Sequence, residues 1–445
     1  MRPRWLLLPV LLALAGIAAG MAWVDWAKGG MGSGLYSREW LPDPIQGYWD
    51  PERFYRPVQS VEGRFPAAEC IACNEALTPG IVADWRESRH SAPRDRAPVA
   101  CPDCHGDDHR ALRMPTPQVC GGCHATQRAA LEEEKHYGFP SHALAMERAV
   151  DSRHFADKPK AETTACVQCH SVATKCDSCH TRHRFDAAEA RRAESCTTCH
   201  SGPPHPDDET FFASAHGRRY LAEAATTDWS KPLTKGNYTV PTCAYCHMRN
   251  GRHVVADKSI WGFGLRQVNP NTAENKIKRQ RWVEVCSDCH DADMARAALE
   301  GLDRERERAW RGLNRSERLL RELRSEKAFY PAAGERPPYP TDWMERWWPK
   351  ERIGFFDGQA SAFYNVSPIE RDYFEMWYFS NLGAYKAAAH GAAGLADAGH
   401  AQLSRAEASI ATQAAQLRAH AGRPRPDPRP LWLEGEYTVH NRERN

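Results

Sequence analysis

Every cysteine in this chain belongs to a Cys-x-x-Cys pair. The 16 cysteines fall at Cys70/Cys73, Cys101/Cys104, Cys120/Cys123, Cys166/Cys169, Cys176/Cys179, Cys196/Cys199, Cys243/Cys246 and Cys286/Cys289. Seven pairs run directly into histidine, at His105, His124, His170, His180, His200, His247 and His290, and the eighth, CIAC, runs into Asn74. The densest stretch, residues 166 to 183, reads CVQCHSVATKCDSCHTRH. No thiol is left over for an ordinary disulfide, so any fold must bring eight short motifs to whatever they bind.

Three chemistries use paired cysteines at this spacing. A dithiol redox site uses one pair, usually beside a strand-helix unit. A zinc ribbon uses two pairs but has no need of a histidine directly after the second cysteine. A c-type haem needs all three residues: two thiols form thioethers with the porphyrin, and the following histidine becomes an axial iron ligand. Seven repeats of the full pattern select the third. The chain reads as a multihaem c-type cytochrome with seven or eight covalent haem c groups, the count turning on Asn74.

Composition agrees. A mean hydropathy of −0.66 with 26% charged residues leaves an aliphatic core undersupplied for 445 residues, for which one to three domains is the usual expectation. Large apolar porphyrin plates make up the deficit. The expected fold is mainly α, with short helices and loops wrapped around a haem array and long C-terminal helices after it. The net charge of +2 gives no basis for a nucleic-acid partner, and the frequent arginines suit haem propionates, which they bind bidentately.

Five segments follow along the chain. Residues 1–26 are a signal peptide or N-terminal membrane anchor, with a basic start and an apolar run from Trp5 to Val24. That run is long enough to span a bilayer, and Gly20-Met21-Ala22 is its best candidate cleavage site. The bulk of the chain is therefore expected outside the cytoplasmic membrane, in the periplasm. Residues 27–69, rich in Gly, Pro and aromatics, form an irregular arm, and residues 70–290 hold all eight motifs. Residues 291–421 are helical: Leu299, Leu302, Trp310, Leu313, Leu320 and Leu323 fall on one helical arc. A second helical stretch runs from near Ser367 to about Ala421, with a break expected at the glycines of HGAAGLADAGH. Long helices without haem motifs point to subunit contacts as well as scaffolding. Residues 422–445 are a tail.

A haem that only moves electrons usually has two protein ligands, and one that binds substrate leaves a position open. Beyond the seven motif histidines the chain has thirteen more: His90, His109, His136, His142, His154, His183, His205, His216, His253, His390, His400, His420 and His440. That is enough for a chain of doubly ligated haems plus one reactive centre. The count alone does not say which histidines serve.

The segments GYWDPERFYRP, RMPTPQVCGGCH, PSHAL, CVQCHSVATKCDSCHTRH, ESCTTCHSG and PTCAYCHM resemble the octahaem hydroxylamine oxidoreductase family over most of the chain. The resemblance implies that the fourth motif, Cys166, Cys169 and His170, carries the catalytic haem, beside its first electron partner at Cys176, Cys179 and His180. It implies distal ligands at His90, His109, His142, His183, His216, His253 and His390, and a pocket histidine at His205. It further implies a homotrimer, a small nitrogenous substrate, and a periplasmic or quinol-linked membrane partner. His136, His154, His400, His420 and His440 are left as surface or hydrogen-bonded histidines.

Three departures from the family pattern matter. Asn74 is a poor iron ligand. The pocket carboxylate before the histidine is replaced by Pro204, with Asp207 and Asp208 nearby. The tyrosine that crosslinks to a neighbouring subunit's catalytic haem in the oxidative members has no counterpart between Gly391 and Leu403, the nearest being Tyr385 and Tyr437. Members without it are expected to work reductively, so the leading expectation is a reductase taking nitrite or hydroxylamine to ammonia. An oxidative hydroxylamine dehydrogenase and a non-catalytic electron conduit are the alternatives.

Overall fold

The computed structural model describes residues 62–137, 141–143, 175–202, 205–261, 264–329, 336, 339–342 and 366–421. The leader, most of the arm, the fourth motif with Cys166, Cys169 and His170, Pro204, His154 and the tail with Tyr437 and His440 lie outside the described residues.

The fold is mainly α, as the motif spacing predicts. Among the described residues the only extended pairing is an isolated bridge between Arg64 and Asp108. The motif half is built from short helices: α1 (Ala67–Leu77), α2 (Pro79–Glu87), α3 (Cys101–His105), α4 (Pro117–Gly121), α5 (Ala125–Glu133), α6 (Ala187–Ala190), α7 (Glu194–Thr197), α8 (Asp207–Ala213), α9 (Ala215–Glu223), α10 (Cys243–His247) and α11 (Ala273–Cys286). Longer helices follow: α12 (Ala292–Ser325), α13 (Pro368–Glu375), α14 (Asn381–His390) and α15 (Ala393–His420), with a π-turn at Met376–Ser380 between α13 and α14.

Each described motif makes about one turn of helix for a simple reason. At 3.6 residues per turn, positions i, i+3 and i+4 share a face, so both cysteines and the histidine point the same way. The peptide N–H of the histidine closes the turn onto the first cysteine: His124 to Cys120 O at 2.9 Å, His200 to Cys196 O at 2.9 Å, and His290 to Cys286 O at 2.9 Å. Start signals are local too. Thr242 caps α10 by accepting from Tyr245 N, and Pro102 and Pro117 occupy first-turn positions of α3 and α4, where the missing N–H costs nothing.

The expected apolar arc of α12 is real and is used within the chain. Leu302, Trp310, Leu313, Leu320 and Leu323 are buried, and Leu299 packs partly buried beside Ile260 and Trp261. The main cluster joins Trp310, Leu313, Leu320 and Leu323 to Ile369, Tyr373, Phe374 and Trp377 of α13 and the π-turn, and to Leu403 and Ile410 of α15, while Leu302 packs with Ile260 and Trp261. Each such side chain contributes ~1.5–3 kcal/mol by leaving water, which explains how so polar a sequence holds this half together without haem. The charged sides of α12 remain outside, joined to α15 by pairs such as Arg315 with Glu407.

The predicted break falls at Gly391, whose φ of +76° ends α14 in the left-handed region. Gly394 and Gly399 stay inside α15. At Gly399 a Cβ would stand 2.8 Å from both Cα and Cβ of Ala384, so α14 and α15 cross backbone to backbone.

The helical bundle and the motif region share one body. Trp377 Nε1 donates to Leu265 O at 3.0 Å, and Asn381 Nδ2 donates to Gly264 O at 2.8 Å. These bonds place the end of α14, and with it His390, over α8. No described helix is long and apolar enough to cross a membrane.

Candidate haem-binding site

The motif turns converge on one continuous cavity of about 3910 Å³, far above the ~300–1,000 Å³ of an ordinary ligand pocket. Thirteen of the fourteen described cysteines line it. All fourteen of those cysteines are unbridged.

Across this cavity the fold sets histidines in facing pairs. Ring centroids stand 6.1 Å apart for His90 and His124, and 6.2 Å for His105 and His183. The spacing is 6.0 Å for His142 and His200, 6.2 Å for His180 and His253, and 6.0 Å for His216 and His290. His390 also lies near His247, close enough to lower it further. In every pair one member closes a motif and the other comes from a distant stretch of chain. Metal–imidazole bonds are ~2 Å long, and the ring centre lies ~1 Å beyond the nitrogen, so two rings sharing one metal stand about 6 Å apart. The pairs have the spacing that an iron between two imidazoles requires.

The ring nitrogens are prepared in the same sense. Metal-bound histidines usually donate their second N–H to a carbonyl or carboxylate, which fixes tautomer and orientation. Here Nδ1–H points to Arg113 O from His105 at 3.0 Å, to Gly251 O from His253 at 3.0 Å, and to Lys386 O from His390 at 2.9 Å. His200 Nδ1 faces Asp207 Oδ2 at 3.3 Å. In each case Nε2 is left for a metal. Burial pushes His142 down to about 4 and His247 down to about 3, and lowers His90, His180, His183, His216, His253 and His390 in the same direction. All are neutral at pH 7, the form that binds metal. The donor set fits haem.

The thiols trace the order of the array. Cys70 and Cys101 feel each other's charge, as do Cys104 and Cys120. Cys120 lies beside Cys176, and Cys196 beside Cys243. Cys179 lies by Cys196 and Cys199, and Cys246 by Cys286 and Cys289. Seven motifs therefore form one unbroken succession, first, second, third, fifth, sixth, seventh and eighth.

Other expected site residues fall as follows. Asn74 is spent on its own helix: its Nδ2 donates to Cys70 O at 2.9 Å and its Oδ1 accepts from Thr78 at 2.7 Å. His109 lies near that motif, edge-on to Phe65 at 6.0 Å, whose carbonyl meets Cys70 Sγ. His205 lines the cavity with its ring 6.1 Å from His200; its relation to the fourth motif lies outside the described residues. Tyr385 is enclosed, packed on Gly264 and under the Arg306 guanidinium at 5.8 Å.

Sequence reasoning noted Asp207 only as a carboxylate near Pro204 and missed Glu134 as a supporting group. Asp207 holds Lys386 Nζ at 2.6 Å as well as facing His200, and stays ionised because the Lys386 and His200 charges outweigh its burial. Glu134 is buried against the segments that carry His142 and His253. The Val255 and Ala256 partners of Glu134 and the Lys386 partner of Asp207 are remote in sequence, so these contacts have no local signal.

Stacked motif turns, facing neutral imidazoles and an apolar interior in place of a packed core define a multihaem c-type cytochrome. The family profile described as "Seven times multi-haem cytochrome CxxCH" matches residues 97–327. A chain of the reducing HAO-like protein complex of Kuenenia stuttgartiensis is similar in structure, with a TM-score of 0.71 and 30% identity over 90% of this chain and 97% of that one. From the same organism, a "Probable nitrite reductase-hydroxylamine oxidoreductase fusion protein" is 32% identical over 451 aligned positions, covering 81% of this chain and 53% of the relative. This chain thus spans about half the length of that relative. A structure titled "Hypothetical multiheme protein" shares the fold, with a TM-score of 0.59 at 17% identity. The chain belongs to the multihaem CxxCH cytochromes, in the hydroxylamine oxidoreductase-like group.

Proposed function

We propose that this protein is a multihaem reductase that takes nitrite or hydroxylamine to ammonia at one open haem, the others relaying electrons. The observation that carries the reading is the row of facing histidine pairs along one cavity, because paired imidazoles saturate iron and leave those haems fit only to pass electrons. In this reading His90, His183, His142, His253, His390 and His216 are the distal partners of His124, His105, His200, His180, His247 and His290, and His109 serves the first motif. When bound, the haems supply electron storage and one iron able to hold the substrate nitrogen. Burial holds the distal ligands His90, His142, His183, His216, His253 and His390 in their neutral form, and the chain offers His205 as a proton donor on the cavity wall.

The direction rests on tyrosine. The segment Gly391–Leu403 contains none, and Tyr385 is packed inside its own chain. Without a crosslink to distort the macrocycle, a principal means of making the iron draw electrons from substrate is missing. The "reducing" and "nitrite reductase" in the relatives' names support the same direction. We place the protein outside the cytoplasmic membrane, exported by the segment ending near Trp26, taking electrons from a quinol-linked or periplasmic donor, and assembled as a homo-oligomer.

Paired assays on one preparation test the direction. Ammonia formation from nitrite or hydroxylamine with a reduced dye should exceed hydroxylamine oxidation with an acceptor. Fast oxidation with negligible ammonia would reverse it, and no binding of nitrite, hydroxylamine or cyanide by any haem would make the protein a conduit.

The haem count is a separate expectation. Thioether attachment needs the cysteines alone, and Cys70 and Cys73 sit on α1 as on the other motif turns, so eight haems are expected with Asn74 non-ligating. Intact-mass measurement of the mature protein reads the number directly. Seven would mean that maturation demands the missing histidine, and fewer than seven would sink the ligand scheme.

A further inference from the structure

Glu134 follows α5 directly and is 1% exposed, an unusual place for a carboxylate, which must be fully hydrogen-bonded to be tolerated there. Its two oxygens divide the work. Oε1 accepts the peptide N–H groups of Val255 and Ala256, the latter at 3.2 Å. Oε2 accepts the N–H of Ala143, the residue next to His142, at 3.3 Å. One side chain therefore grips the backbone one residue beyond His142 with one oxygen and the backbone two residues beyond His253 with the other. Those histidines face His200 and His180, whose motifs are neighbours in the array through Cys179, Cys196 and Cys199.

We propose that Glu134 is a positioning residue that fixes the ligand orientation of two consecutive haem sites, His142–His200 and His180–His253, through a single carboxylate. The inference rests on the ligand pairing above. The two pairs are set at different angles, 54° between the His142 and His200 planes and 21° between His180 and His253. Each imidazole hangs from a segment whose backbone would otherwise carry unpaired N–H groups, so releasing a segment frees its ring to rotate. A glutamine has one acceptor and one donor end. Whichever way its amide turns, its NH₂ faces peptide N–H donors on one side and must release that segment.

Low-spin haem EPR signals report the angle between axial imidazole planes, so the holoprotein itself is the probe. His142→Met and His253→Met first identify the signals of the two haems; if neither changes the ligand spectrum, the pairing is wrong and this inference falls with it. With the pairing established, Glu134→Gln should shift one of the two signals and Glu134→Ala both. The remaining low-spin signals and the haem content by intact mass should not change. Glu133→Gln, which removes the ion pair with Arg252 on the same segment, should leave both signals in place. Glu134 variants with unshifted signals, or with every low-spin signal altered together, would overturn the proposal. Should Glu134→Ala fail to mature, Glu134→Gln alone decides.

Discussion

His205→Ala is expected to slow nitrite turnover on the order of 10²- to 10⁴-fold, the usual contribution of a positioned proton donor, while leaving the low-spin haem spectrum close to that of the parent. The structure makes the alternative concrete. His200 has two imidazoles near 6 Å, His142 at 6.0 Å and His205 at 6.1 Å, and one metal position opposite His200 takes only one of them. His142 is the better candidate for that position. It is half-buried and held neutral at about 4 by its surroundings, and the next residue, Ala143, is gripped by Glu134. His205 follows a loop at Gly202, and its own carbonyl accepts from Asp207 N at 2.8 Å. Optical and EPR spectra of the variant settle the matter alongside the rate. A new high-spin haem in His205→Ala would make His205 an axial ligand and remove it from proton transfer.

The second large effect is expected at His253→Met. A thioether in place of the imidazole keeps the haem low-spin but raises its potential, within the range of ~0.8 V that axial ligands command. The site paired with His180 lies in mid-array, since Cys176 lies beside Cys120 of the third motif and Cys179 neighbours Cys196 and Cys199 of the sixth. An electron held there is held between the two ends of the succession. Dye-driven ammonia formation should fall by on the order of tenfold or more, as each ~1.4 kcal/mol added to a rate-limiting step costs a factor of ten, while haem content is unchanged. Redox titration with EPR detection checks the potential, and a steady-state assay checks the rate. An upward potential shift without loss of turnover would place this haem off the main electron route.

The two classes of ligand were legible to different degrees for a physical reason. A motif histidine is fixed by its neighbours: Cys, Cys and His at i, i+3 and i+4 share a helical face in any context, so His124, His180, His200 and the others could be assigned as haem-facing from spacing alone. The partner imidazoles follow no local rule. His216 meets His290, and His183 meets His105, only because dozens of intervening residues fold back across the cavity. Family resemblance marked those histidines but not which motif each would face. The α12 arc was equally readable from its period, whereas its partners on α13 and α15 were not, because an apolar face does not name the surface that will cover it.

Three consecutive glutamates show where sequence ends and tertiary structure begins. In ALEEEKHY, Glu132, Glu133 and Glu134 are chemically identical and read as one solvated charge run. In the fold, Glu132 pairs with Lys135 at the surface, Glu133 reaches Arg252, and Glu134 turns inward to bind three peptide N–H groups from two segments. The sequence by itself determined the haem-binding chemistry, because covalent attachment needs only residues within one helical turn. Only the tertiary structure decided which glutamate would be buried, because a carboxylate is stable there only where distant backbone donors have already converged.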